Sequence, residues 1–283
     1  MSEAHPTQIT FNSHELLVQP LPKGFDLSMK EGVYTLSTFE FQNKLDAFLE
    51  VFKEWTEFKG EVPPKPEEMD QLPEGIDNHT WRSRSTDWNI IKQYLSTTKR
   101  EFILETGSWN GWLANKLTQG GHDVVAIDYF LESPFGLMSR KHYKKADWLS
   151  VQLDIAEIDI LQPQFDTIIF NRNLPYCPGV KNTLNKAMKL IIPGGKIILT
   201  GLNIVSKPKK IEKYFEEAER FFSGRGVSLY LKNDFKKYLD TGDLDLIKDL
   251  GFSIHPYSRN FKSQLASFIK PNATQHYWAI LTK

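Results

Sequence analysis

An apolar run, Phe102-Ile103-Leu104, ends in an acid, Glu105, and passes at once into a turn bearing Gly107 and Gly111. Gly111 to Gln119 then reads as a helix. A short buried strand feeding directly into a helix is the first βα unit of a sheet wound with helices. Glycine in the turn lets backbone pass close to a bound ligand without a Cβ in the way. The turn sits at the carboxyl end of its strand, where open α/β sheets bind ligands. A second apolar strand, Val124-Val125-Ala126-Ile127, closes in Asp128, 23 residues beyond Glu105 (128 − 105). A carboxylate there can accept hydrogen bonds from both hydroxyls of a ribose, and at a strand end it is expected to be solvent-accessible.

The alternation continues downstream. Residues 151–153 and 165–170 give a third and a fourth strand, residues 183–190 a helix, and residues 196–200 a fifth strand. Helices follow at 209–222 and 243–250, and two late strands at 251–257 and 276–281 have no helix between them, so they pair as an antiparallel end. The predicted fold is α/β: a Rossmann-like, doubly wound, mostly parallel seven-stranded sheet with an antiparallel last strand, plus a small N-terminal α+β extension. That extension covers residues 1–80. It holds the apolar run Leu16-Leu17-Val18, a hairpin arm at 32–36, and a helix carrying Leu45, Phe48, Leu49, Phe52 and Trp55 on one face. The aromatic stripe is expected to pack on a core. Pro63, Pro64 and Pro66 make residues 59–78 a linker or surface loop. A helix is expected from Thr86 to residue 95, capped by Ser85 or Thr86, with Trp88, Ile91 and Leu95 on one face. Residues 81–283 form the main domain, with an insertion around 203–240.

Composition narrows the function. The 283 residues are 40% hydrophobic and 25% charged, which is ordinary globular usage. Lys and Arg number 35, as do Asp and Glu. That balance lacks the basic excess of a general nucleic-acid binder. The one cysteine, Cys177, excludes a disulfide framework within the chain, and no zinc site is expected from His5, His14 and His79 without cysteine partners. No apolar run is long enough to span a bilayer, and Met1-Ser2-Glu3-Ala4-His5-Pro6 lacks the basic start and apolar core of a signal peptide. A cytoplasmic protein is expected.

The turn also discriminates between adenosine cofactors. A dinucleotide fold expects G-x-G-x-x-G with a pyrophosphate on the helix N-terminus. Here Trp109 stands where the middle glycine would be, crowding a pyrophosphate. A sulfonium cofactor has no phosphate and tolerates the crowding better. Four segments then occur in order: Glu105-x-Gly107-x-x-x-Gly111, the stretch from Gly121 to Asp128, Phe165-Asp166-Thr167-Ile168-Ile169-Phe170-Asn171, and Leu190-Ile191-Ile192-Pro193-Gly194-Gly195-Lys196-Ile197-Ile198. Together they resemble the successive motifs of class I S-adenosylmethionine-dependent methyltransferases, over roughly residues 100 to 205. A narrower likeness, in Asn110-Gly111-Trp112-Leu113, Gly121-His122, Phe135-Gly136-Leu137 and Asn171-x-x-Leu174-x-Tyr176, is to a bacterial subgroup whose members often carry an N-terminal zinc-ribbon-like module. This chain has no cysteines for such a module.

The resemblance implies S-adenosylmethionine as cofactor and assigns roles. Glu105 and Gly107 would lie beside its methionine part, Ser108 and Gly111 would also contact the cofactor, and Asp128 would bind the ribose. Tyr129 would flank the adenine. Asp154 would accept from the adenine amino group, the Ile155 backbone would donate to the ring, and Asn171 would sit near the sulfonium. Catalytic candidates are His142 and Tyr176, the latter on the loop after the fourth strand. Asn173-Leu174-Pro175-Tyr176 is similar to the motif of RNA adenine-N6 methyltransferases, but it starts two residues past the strand end where that motif belongs. A small-molecule acceptor is therefore expected. The alternatives are a non-catalytic cofactor-binding protein of the same fold and, further off, an RNA methyltransferase.

Overall fold

A computed structural model of the protein describes residues 16–205, 208–231, 235–257 and 274–283. His5 and His14 lie outside them. The strands are β1 (Asp26–Lys30), β2 (Val33–Ser37), β3 (Phe102–Thr106), β4 (Asp123–Asp128), β5 (Leu149–Gln152), β6 (Phe165–Asn171), β7 (Ile191–Ile204), β8 (Ser253–Pro256) and β9 (Gln275–Thr282). The α-helices are α1 (Phe39–Phe58), α2 (His79–Tyr94), α3 (Trp112–Gln119), α4 (Val180–Leu190), α5 (Lys209–Ser223) and α6 (Thr241–Asp249).

The strands form one sheet of order β1-β2-β5-β4-β3-β6-β7-β9-β8. From β5 to β8 these are the seven expected strands, and β9 runs antiparallel to both its neighbours. The sheet nevertheless has nine strands, because β2 pairs in parallel with β5, Val33 opposite Ser150. The reason is burial on both faces. Val33 packs with Leu131, Leu137 and Met138, whereas Leu36 joins the main core with Val151 and Leu153. A two-stranded hairpin is marginal alone, and the open edge of β5 supplies the backbone partners it needs.

Helix α2 begins at His79, well before Thr86. The Asn78 side chain accepts from Trp81 N (2.9 Å), which caps the helix there. The proline-rich stretch is tethered, not a free linker: Met69 and Leu72 are buried against Trp81, Ile91 and Leu113. The aromatic stripe of α1 packs on a core as expected. Phe48, Val51 and Trp55 bury against Ala218 and Phe222 of α5, with ring centroids 5.0 Å apart for Phe48 and Phe222 and 5.1 Å for Trp55 and Phe221. Lys59 Nζ to Glu217 (2.9 Å) and Arg225 to Glu54 pin the ends of this pair. The N-terminal helix and the segment after β7 are thus clasped together. Among the described residues no helix is long and apolar enough to cross a membrane.

Candidate functional site

The turn after β3 is fixed from below. Ser108 N donates to Ile127 O (3.0 Å), tying it to β4, and Ser108 Oγ donates to Glu105 Oε2 (2.9 Å). Glu105 is only 2% exposed. Burial pushes its carboxyl up to about 8, with repulsion from Asp128 adding to the rise and the Ser108 hydroxyl opposing it.

Asp128 differs from the expectation of a solvent-accessible group: it is 9% exposed. Trp109 N donates to its Oδ2 (2.7 Å) and Phe130 N to its Oδ1 (2.9 Å). The strand-end carboxylate therefore clamps the glycine turn onto β4, which a one-dimensional pattern does not reveal. Burial pushes it up to about 6 against these backbone hydrogen bonds. A carboxylate offers about four lone-pair sites, so room remains for a ribose hydroxyl.

Trp109 adopts a left-handed backbone, φ 53°. Strain of this kind is on the order of 1–3 kcal/mol for a non-glycine residue. The ring gives it back through stacking: Trp81 lies 6.1 Å away at 18° and Phe135 6.0 Å away at 23°. The Arg84 guanidinium lies 4.9 Å from the Trp81 ring and 5.1 Å from the Trp109 ring. Burial and the neighbouring Arg172 push Arg84 down to about 10. Its one hydrogen bond among the described residues is a long 3.5 Å contact to Thr80 O. Sequence reasoning missed Arg84, because an arginine on a helix carries no positional signal.

Gly107 is required by crowding as well as by its φ of 60°. A Cβ there would sit 2.4 Å from Asn173 Nδ2. That amide donates to Thr106 O (2.6 Å) and Thr106 Oγ1 (3.0 Å). The asparagine of the Asn173-Leu174-Pro175-Tyr176 stretch is thus committed to backbone. Asn171, at the end of β6, donates to Thr200 Oγ1 (2.7 Å) and to Asp87 Oδ2 (3.2 Å). Its amide is turned towards α2.

Tyr129, Asp154, Ile155 and Tyr176 come together on one open cleft, which Phe41, Leu229, Leu231 and Phe235 also line. Phe41 meets Tyr129 edge-on, 6.4 Å between centroids. Asp154 accepts from Ala156 N (2.9 Å), which orients its carboxylate at the cleft wall. Tyr176 is 55% exposed and stands edge-on to Phe235 at 5.5 Å. His142 is elsewhere: its Nε2 lies 3.1 Å from Ser133 Oγ and it does not line the cleft. Cys177 is buried, and desolvation pushes its thiol up to about 12, which makes it a poor nucleophile. Among the described residues no group of three His, Cys, Asp or Glu side chains is placed to hold a metal.

The order of the strands from β5 to β8, with β9 antiparallel next to that edge, and a cleft at the carboxyl ends of acid-tipped strands together define a Rossmann-like methyltransferase. Comparison with known proteins agrees. Residues 104–199 match the family described as "Methyltransferase domain". The ubiquinone biosynthesis O-methyltransferase of Coxiella burnetii is 24% identical over 183 residues, 60% of this chain and 74% of the relative. The structure of Haemonchus contortus phosphoethanolamine N-methyltransferase 2 in complex with S-adenosyl-L-methionine superposes with a TM-score of 0.50 at 15% identity. It covers 70% of this chain, which spans about half (52%) of that enzyme, and the likeness is one of fold. Residues 104–199 therefore carry a methyltransferase domain, with S-adenosylmethionine as its cofactor.

Proposed function

We propose that the chain transfers the methyl group of S-adenosylmethionine to a small, largely apolar acceptor bound beside Tyr176. The observation that carries this reading is the cleft itself. Its lining joins the polar groups of Asp154, Tyr129 and the Ile155 backbone to the apolar or aromatic side chains of Phe41, Leu229, Leu231, Phe235 and Tyr176. Sites for small molecules combine an apolar lining with a few placed polar groups in this way.

The residues present fit the cofactor. Asp128 retains acceptor capacity for a ribose. Asp154 and the Ile155 backbone suit an adenine edge, and Tyr129 its face. Arg84, desolvated and in no ion pair among the described residues although Asp87 lies near it, suits the carboxylate end. When bound, the cofactor supplies an electrophilic methyl group on a sulfonium. The protein's share is alignment and exclusion of water, and positioning alone reaches effective molarities of ~10⁵–10⁸ M. No strong base is then obligatory. We assign Tyr176 to orienting the acceptor.

Two features support a small molecule over RNA. Basic and acidic residues balance at 35 each, so no net charge draws a polyanion. Asn173, which would hold a target adenine, donates to Thr106 instead. The test is incubation with labelled cofactor and either total RNA or a small-molecule extract. Label is expected in the extract. Label in RNA that vanishes in Tyr176→Ala would reverse the assignment.

A further inference from the structure

Asp87 sits in α2 with no exposure to solvent. A carboxylate in such a place is held there by partners. Arg172 Nε (2.5 Å) and Asn171 Nδ2 (3.2 Å) donate to its Oδ2, and the Tyr257 hydroxyl donates to its Oδ1. The same hydroxyl accepts from Gly201 N (2.7 Å). One buried charge thus joins α2 to the end of β6, to β7 and to the residue just after β8.

What this junction fixes is a bend. Arg172 has a left-handed backbone, φ 60°, and its N–H donates to Thr200 O (3.0 Å). Its side chain packs so tightly on Gly201 that a Cβ there would lie 2.2 Å from Arg172 Cγ. Leaving this bend, the chain does not continue along the strand but sets Asn173 across Gly107. The Asn173 amide nitrogen is fully used on Thr106, whereas its Oδ1 is buried with no partner among the described residues. A buried carbonyl without a donor is costly to keep. It is tolerated where a ligand donor completes it.

We propose that Asp87 is a positioning residue that sets Asn173 across Gly107, where the Asn173 carbonyl oxygen accepts from the ammonium end of the bound cofactor. This rests on the cofactor reading given above. It adds a determinant that distinguishes the full cofactor from its nucleoside part. Asn173 is the contact, and Asp87 acts through Arg172 and Asn171.

The test compares two ligands by calorimetry: S-adenosylhomocysteine, which carries the amino-acid end, and 5′-methylthioadenosine, which lacks it. The parent is expected to bind the first more tightly. In Asn173→Ala, affinity for S-adenosylhomocysteine is expected to fall roughly 10–100-fold, the range for losing a hydrogen bond to a charged group. Affinity for 5′-methylthioadenosine should hold within about twofold. Asp87→Asn and the milder Tyr257→Phe, which keeps the ring and removes one donor to Asp87, should shift the same ratio in the same direction. Tyr257→Phe carries the test if Asp87→Asn does not fold. Parallel loss of both ligands in the variants, or no change in either, overturns the assignment while leaving the cofactor reading intact. A parent that binds neither ligand overturns both.

Discussion

Replacing Glu105 by Gln isolates the electrostatic cost of an acid buried under the glycine turn. Burial lifts this carboxyl from its ordinary 4.5 to about 8, so the folded protein holds a proton that the unfolded chain releases. The stability tied to that proton is complete below about pH 4.5 and is lost as pH rises through about 8. At ~1.4 kcal/mol per unit, the whole span is worth ~5 kcal/mol, of which ~2–3 kcal/mol falls between pH 6 and pH 9. Glutamine keeps the volume and an acceptor oxygen for Ser108 Oγ (2.9 Å in the parent) and has no proton to lose. The variant should therefore gain ~2–3 kcal/mol on the parent across that range. Denaturant unfolding of the ligand-free proteins at pH 6 and pH 9 measures it, and most other titrating groups cancel in the difference. Two proteins with the same pH dependence would refute the reasoning, because Glu105 would then titrate as an ordinary surface acid.

Three further outcomes are expected. Asp128→Ala should weaken S-adenosylhomocysteine binding by roughly 1.5–3 kcal/mol and also lower stability by ~1–3 kcal/mol, since Trp109 N and Phe130 N lose their acceptor. Calorimetry and denaturant unfolding read the two effects separately, and unchanged affinity would remove Asp128 from the ribose. Phe222→Ala should cost ~3–5 kcal/mol, because the ring is fully buried between α1 and α5; a loss below about 1 kcal/mol would mean that the α1–α5 clasp contributes little. Metal analysis of protein purified without a histidine tag should find far less than one zinc per chain; a stoichiometric zinc would refute the expectation drawn from the absent cysteines.

What was legible in the sequence was local. The strand, acid, glycine turn and helix from Phe102 to Gln119 form a contiguous pattern, and β3 and α3 follow it closely. The late strands β8 and β9 pair as their alternation suggested. The hairpin β1–β2 was visible as a hairpin, but its docking on β5, more than 100 residues on, depends on a free edge that no local pattern encodes. Asn78 and Ser85 are both good capping residues; burial of Trp81 against Met69 and Leu72 decides for Asn78. The largest omission was the first half of α2, from His79 to Ser85, together with the role of Asp87 on the same helix. Asp87 has the appearance of a solvated helix acid, and only the fold reveals Arg172, 85 residues away, as its partner (172 − 87). Arg84 was missed for the same reason, since the rings that hold it come from Trp81 nearby and Trp109 on the turn.

The central claim is that the turn at Gly107, the clamp at Asp128 and the cleft at Asp154 form one site for S-adenosylmethionine. Calorimetric titration of the purified chain with S-adenosylhomocysteine tests it most directly. The expected result is saturable binding at one site per chain that weakens in Asp128→Ala; no heat of binding at millimolar ligand would contradict it.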